Sequence, residues 1–292
     1  MRNHLLILLM AEDLLQRKQP QNSDINAPSP NPFVINTVVS SKLLGRIAAY
    51  YGADFEQTLT GFKWIWQRAL QREAQGDTFV FAYEDAIGFS PTSRVHDKDG
   101  IAAAVVIAEI AREAKLAATN PAGAGSVTGA GTKTSNRPLS LYQRLMSIYQ
   151  THGLSVNRQV SIKLEGNNAR ERMTKQLQAL RDNPPIQLAG LAVVRVHDYQ
   201  QAESFRPANN ERFDVEPIAL PAAELIKLEL RPLTDARDAE VPSGDYYISI
   251  RPSGTEPKLK IYLEYIGEPA QTYDAQPAAE RTLKRLVEAV LA

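Results

Sequence analysis

The sequence predicts an α/β protein: a three-layer domain built on a mixed or parallel sheet, followed by a smaller α+β domain. Three observations carry that prediction. From residue 33 onward, strand-like apolar runs alternate with helix-like runs in the order β-α-β-α-β, which implies a largely parallel sheet with helices on both faces. Residues 118–138 are rich in Gly, Ala and Thr, bury too little apolar surface to order themselves, and read as a linker. Beyond them, strands cluster together with helices at their flanks.

Taken in order, residues 1–18 form one apolar-faced helix. Its run Leu5-Leu6-Ile7-Leu8-Leu9-Met10 faintly imitates a secretion signal, but Glu12 and Asp13 follow at once and no small-residue cleavage site appears. The run is also far too short to span a bilayer. Residues 19–32 are a polar, proline-rich connection. A strand is expected over 33–39, a helix over 42–51 ended by Gly52, a strand over 54–60, a helix over 62–73 and a strand over 78–83. A long helix over 101–115 follows, with Asp99 as its N-cap. After the linker come a helix over 139–152 stopped by Gly153, a strand around 159–164, and a charged helix over 169–182 halted by Pro184-Pro185. A strand over 191–197, a loop rich in Asn and Pro, a strand over 223–230, a hairpin and a closing helix over 278–291 complete the chain. The divisions expected are 1–32, 33–117, 118–138, a connecting stretch over 139–210, and a last domain over 211–292.

At 292 residues the chain is long enough for about two domains, and its 33 acidic and 33 basic residues leave no broad field to attract nucleic acid or a membrane surface. Any anion site must therefore be local. The absence of cysteine removes disulfides and thiolate ligands, which fits a cytoplasmic protein.

The most concentrated chemistry is the stretch Arg251-Pro252-Ser253-Gly254-Thr255-Glu256-Pro257-Lys258, set between two strand-like runs and too long for a tight turn. Arg251 offers a planar fork of donors that matches a phosphate, Ser253 and Thr255 offer hydroxyls, and Gly254 lets backbone approach an anion without a Cβ in the way. Lys258 is a weaker candidate at the loop's end. The stretch reads as a phosphate-ester clamp, against the plainer alternative of a solvated Pro/Gly/Ser loop.

A second group lies earlier. Thr60 and Gly61 join a strand to a helix, where backbone N–H groups attract anions. Glu84 closes a strand, where a carboxylate can accept hydrogen bonds from vicinal sugar hydroxyls. Lys98 sits in Asp97-Lys98-Asp99-Gly100, which holds too few acids for a calcium loop. Trp64 and Ile65 read as core, Lys63 as a weaker ligand candidate, and His96 and His197 as structural, with no spacing for a zinc site or a triad.

These strings together resemble the α-D-phosphohexomutases, the family of phosphoglucomutases and phosphomannomutases. Thr60-Gly61-Phe62-Lys63-Trp64-Ile65 resembles the family segment whose threonine faces the sugar, and Glu84-Asp85-Ala86-Ile87-Gly88 its sugar-recognition loop in the phosphopentomutase-like branch. Asp97-Lys98-Asp99-Gly100 resembles the segment whose lysine reaches the phosphosugar, and residues 251–258 the phosphate-binding loop of the last domain. Ala86 stands where better-known branches carry a serine that touches the sugar, which leaves glucose, mannose and pentose phosphates open.

The resemblance implies the family's third and fourth domains, with 1–32 as the last helix of the second domain plus a linker. It implies Thr60, Glu84 and Lys98 as sugar contacts and Arg251, Ser253, Gly254 and Thr255 as phosphate contacts, with no catalytic or metal-ligating residue. Members also carry a phosphorylated serine in a Thr-Ala-Ser-His-Asn-Pro-like string and an Asp-x-Asp-x-Asp-Arg loop for magnesium, and neither string occurs here. The intact family uses Mg2+ and a sugar bisphosphate activator; this chain is expected to bind no metal and to be inactive alone. The partner implied is a phosphorylated sugar. Two alternatives stay open: a non-catalytic phosphosugar-binding module, and one subunit of a split mutase completed by a separate chain.

Overall fold

The computed structural model describes residues 3–18, 30–85, 88–119, 140–163, 168–208, 211–233, 241–253, 256, 258–269 and 273–291. The chain divides into two compact units, Met1–His152 and Gly153–Ala292. The line thus falls at the Gly153 expected to stop a helix, and the stretch 139–210 is shared between both units.

In the first unit the elements are α1 (Asn3–Arg17), β1 (Pro32–Thr37), α2 (Leu43–Tyr50), β2 (Asp54–Thr58), α3 (Phe62–Ala74), β3 (Thr78–Glu84), β4 (Gly88–Ser90), α4 (Gly100–Thr119) and α5 (Leu141–His152). The sheet order is β2-β1-β3-β4, with the first three strands parallel and β4 antiparallel to β3. Because β1→β2 and β2→β3 step in opposite directions across this sheet, right-handed crossovers put α2 and α3 on opposite faces. Phe33, Ile35, Phe62, Ile65, Trp66, Ala69, Phe79 and Ala82 form the core beneath α3.

Helix α1 packs on α2, α4, α5 and β3, and Ile7, Leu8, Met10 and Leu15 are buried. Arg17 adds ion pairs to Asp13 at 2.7 Å and, across to α4, to Glu109 at 3.0 Å and Glu113 at 3.1 Å. The first helix is therefore packed into this unit. On α3, Arg72 is buried and bonded to Asp54 at 2.6 Å, to Glu56 at 2.5 Å and to Asp77. Arg68 shares Glu56. Burial acts to raise the Glu56 pKa, but the two guanidinium groups outweigh it and hold the carboxyl below its usual 4.5.

The second unit holds β5 (Ser155–Lys163), α6 (Ala169–Asp182), β6 (Gln187–Leu188), β7 (Leu191–Asp198), β8 (Glu203–Ala208), β9 (Glu211–Pro217), β10 (Ile226–Pro232), β11 (Gly244–Pro252), β12 (Lys258–Gly267) and α7 (Gln276–Leu291), with a short 3₁₀ turn before α7. Its eight-stranded antiparallel sheet runs β5-β12-β11-β10-β7-β8-β9, with β6 paired to β7. The loop expected after residue 198 is instead largely the β8–β9 hairpin. Its outer strand β9 is exposed along almost its whole length, and Asp214 at its centre has a left-handed φ of +49°.

Most of the linker expected over 118–138 lies outside the described residues, although α4 runs on to Thr119.

Candidate functional site

The first cluster gathers at the carboxyl ends of the parallel strands, where ligands of such sheets bind. Strand β2 ends at Thr58, two residues short of expectation, and Thr60 and Gly61 form the bend before α3. Gly61 adopts φ +123°, which only glycine holds without strain. Its N–H donates to Glu84 Oε1 at 2.5 Å. The carboxylate held at the start of α3 is thus the chain's own. That bond orients the Glu84 carboxylate.

Glu84 lies opposite Gly88 in the β3–β4 pair. Ala86 and Ile87 lie outside the described residues; Asp85 N–H donates to Ser40 Oγ at 3.3 Å. Gly88 also makes room for Lys98: a Cβ there would stand 2.5 Å from Phe62 Cε2 and 3.2 Å from Lys98 Cδ. Lys98 Nζ rests 4.6 Å over the Phe62 ring and 2.9 Å from Asp97 Oδ1, with its side chain half exposed. That hydrogen bond holds the Asp97 carboxyl below the usual range. Asp99 Oδ1 accepts the Ala102 N–H at 2.8 Å, the N-cap expected for α4. Thr60, Glu84 and Lys98, far apart in sequence, are therefore brought to one end of one sheet. Phe62 and Gly88, which seat Lys98, were legible only as an apolar and a turn residue.

Magnesium does not fit these acids. Asp97 is bonded to Lys98, Asp99 caps a helix, and Glu84 accepts a backbone N–H; among the described residues no group of three His, Asp or Glu side chains could hold a metal ion.

The second cluster is on the β11–β12 hairpin. Arg251 pairs with Lys260 across β11–β12, and Lys258 with Lys163 across β12–β5. Since Lys258 and Lys260 are two apart on one strand, all four cations share a face. Arg251 Nη2 donates to Tyr262 Oη at 3.1 Å, while its buried Nε has no hydrogen-bond partner among the described residues. Ser253 N–H donates to the Lys258 carbonyl at 2.8 Å, and Lys258 Nζ pairs with Glu256 at 2.8 Å. The Lys258 hydrogen bond, helped by Lys260 and Lys163, keeps the Glu256 carboxyl below its usual range. Gly254 and Thr255 lie outside the described residues.

Among the other candidates, Lys63 Nζ stands 5.0 Å over the Trp64 ring. Ile65 is fully buried as expected, but the core tryptophan is Trp66, whereas Trp64 is only half-buried. His96 stacks 4.6 Å from Trp66, and His197 pairs with Glu229 at 3.1 Å.

Residues 2–122 match the family described as phosphoglucomutase/phosphomannomutase, alpha/beta/alpha domain III, a span that includes helix α1. Over that span the chain is similar to the third domain of the phosphohexomutases. It is 28% identical over 274 residues to human glucose 1,6-bisphosphate synthase, covering 93% of this chain and 38% of that protein. Against the phosphoglucomutase of Staphylococcus aureus it is 29% identical over 231 residues, covering 79% of this chain and 35% of the relative. The chain therefore spans less than two fifths of the length of these phosphohexomutase relatives. In fold it is similar to the open form of pp63/parafusin, a phosphoglucomutase from Paramecium, with a TM-score of 0.52 at 12% identity, covering 99% of this chain and 41% of that one. No helix among the described residues is long and apolar enough to cross a membrane.

Proposed function

We propose that this chain supplies the sugar-orienting and phosphate-holding parts of a phosphoglucomutase/phosphomannomutase-type enzyme, which moves a phosphoryl group between the 1- and 6-positions of a hexose in carbohydrate metabolism. The first unit corresponds to the family's third domain and the second to its fourth. The observation that carries the reading is the convergence of Gly61, Glu84 and Lys98. Glu84 and Thr60 orient the sugar hydroxyls, and Lys98 meets the ligand's negative charge. On the hairpin, Arg251 with Ser253, Gly254 and Thr255 holds a phosphate that does not react, with Lys258 beside it.

Phosphoryl transfer also needs an in-line nucleophile and a cation at the transferring group. The family's phosphoserine and magnesium strings are absent from these 292 residues, so the chain positions its ligand without turning it over. Magnesium and a sugar bisphosphate primer belong to the intact enzyme. The cysteine-free composition suits the cytoplasm.

The test is calorimetric titration of the full chain with glucose 6-phosphate and glucose 1,6-bisphosphate, beside a mutase assay with magnesium and the bisphosphate. Saturable binding without turnover is expected. Turnover by the purified chain would refute the inactivity, and no heat at millimolar ligand would refute the phosphosugar reading. Turnover that appears only on adding a second chain with the phosphoserine and magnesium strings would identify a split mutase.

A further inference from the structure

We propose that Trp64 is a further substrate-contacting residue, an indole platform for the C–H face of a hexopyranose phosphate whose hydroxyls are held by Glu84. The inference deepens the sugar reading of the first unit and rests on it.

The two tryptophans of the chain are two residues apart on α3, so they project from nearly opposite sides of the helix. Trp66 is 3% exposed and packs on Phe79 at 4.9 Å. Trp64 is excluded from that core and remains half-buried. It sits in the first turn of α3, and helical side chains lean toward the N-terminus, so its ring is carried back over Gly61. A Cβ on Gly61 would be 3.6 Å from Trp64 Cδ1. The same glycine donates its N–H to Glu84 at 2.5 Å. One residue therefore has the indole on one side and the hydroxyl-accepting carboxylate on another.

That pairing suits a sugar more than an inorganic anion. A pyranose presents hydroxyls around its rim and C–H groups on its faces, and an indole with a carboxylate at its edge answers both. Lys63 Nζ, 5.0 Å from the ring centroid, adds a positive charge beside the platform, which suits a phosphate on the same sugar.

The test uses the full chain labelled with 5-fluorotryptophan, whose two 19F resonances are assigned with Trp64→Phe. Glucose 1,6-bisphosphate is titrated while binding is followed by calorimetry. A saturable shift of the Trp64 resonance with Trp66 still is expected. Trp64→Ala is expected to weaken binding roughly tenfold, and Trp64→Phe to stay within about threefold of the parent. Heat of binding with an unmoved Trp64 resonance, equal shifts of both resonances, or unchanged affinity in Trp64→Ala overturns the platform and leaves the sugar reading intact. No heat and no shift at millimolar ligand overturns both.

Discussion

The two units hold polar groups with opposite charges. At the strand ends of the first, a carboxylate is fixed by a glycine N–H and one half-exposed lysine stands nearby. On the hairpin of the second, four cations share a face and the local carboxylate, Glu256, is paired to one of them. The difference means that the two units suit oppositely charged groups. On the proposed reading, an acid at a helix start would read hydroxyls and repel phosphate, whereas an arginine whose buried Nε has no hydrogen-bond partner among the described residues would draw phosphate in. The first site also depends on the backbone conformation of a single glycine, while the second follows from strand register.

The largest expected effect breaks the first unit alone. Arg72→Ala leaves Asp54, Glu56 and Asp77 without their shared partner and is expected to cost about 3 kcal/mol, discounted for the exposure of Asp54. Urea unfolding followed by tryptophan fluorescence measures it cleanly, because both tryptophans lie in that unit. A loss below about 1 kcal/mol would show that the network is ornamental.

Arg251→Ala sharpens the contrast from the other side. Phosphosugar affinity is expected to fall by about 1.5 to 3 kcal/mol, with the unfolding midpoint nearly unchanged. Parent affinity in calorimetry would remove Arg251 from the clamp. Next in size, Asp99→Ala deletes the cap of α4 and should lower stability by about 1 kcal/mol in a thermal melt.

The smallest effect is in acid. Glu56 has a folded pKa below its unfolded value, so the stability it contributes is complete above about 4.5 and is lost as pH falls through the depressed value. Tryptophan-detected urea midpoints between pH 5 and 3 should show this decline, and Arg68→Ala should flatten it. A decline of equal slope in Arg68→Ala would assign it to other acids.

Much of this was legible in the sequence. Strands β1 and β3 are buried along almost their whole length and the helices carry ordinary end signals, so Gly52 and Asp99 marked ends that the structure keeps. Strand β4, three residues long, is too short to show a period. The β8–β9 hairpin was hidden for a different reason: β9 is exposed on both faces and its alternation is lost, so only pairing with β8 defines it. Thr60, Glu84 and Lys98 were visible through their motifs. What seats them was not, because the fit of Phe62 and Lys98 against Gly88 depends on which segments the sheet brings together. Trp64 was read as core for a related reason: two residues of one type in one helix are told apart only by the direction of the core.

The rim strand β9 has one more consequence. An open edge of backbone donors and acceptors invites another molecule to add a strand, and a seven-residue flat ribbon would do so readily. Here Asp214 twists the ribbon at its midpoint and Pro217 removes a donor at its end. A straight neighbour cannot zip along such a border, so crowded preparations of this protein are expected to resist fibre growth from that side.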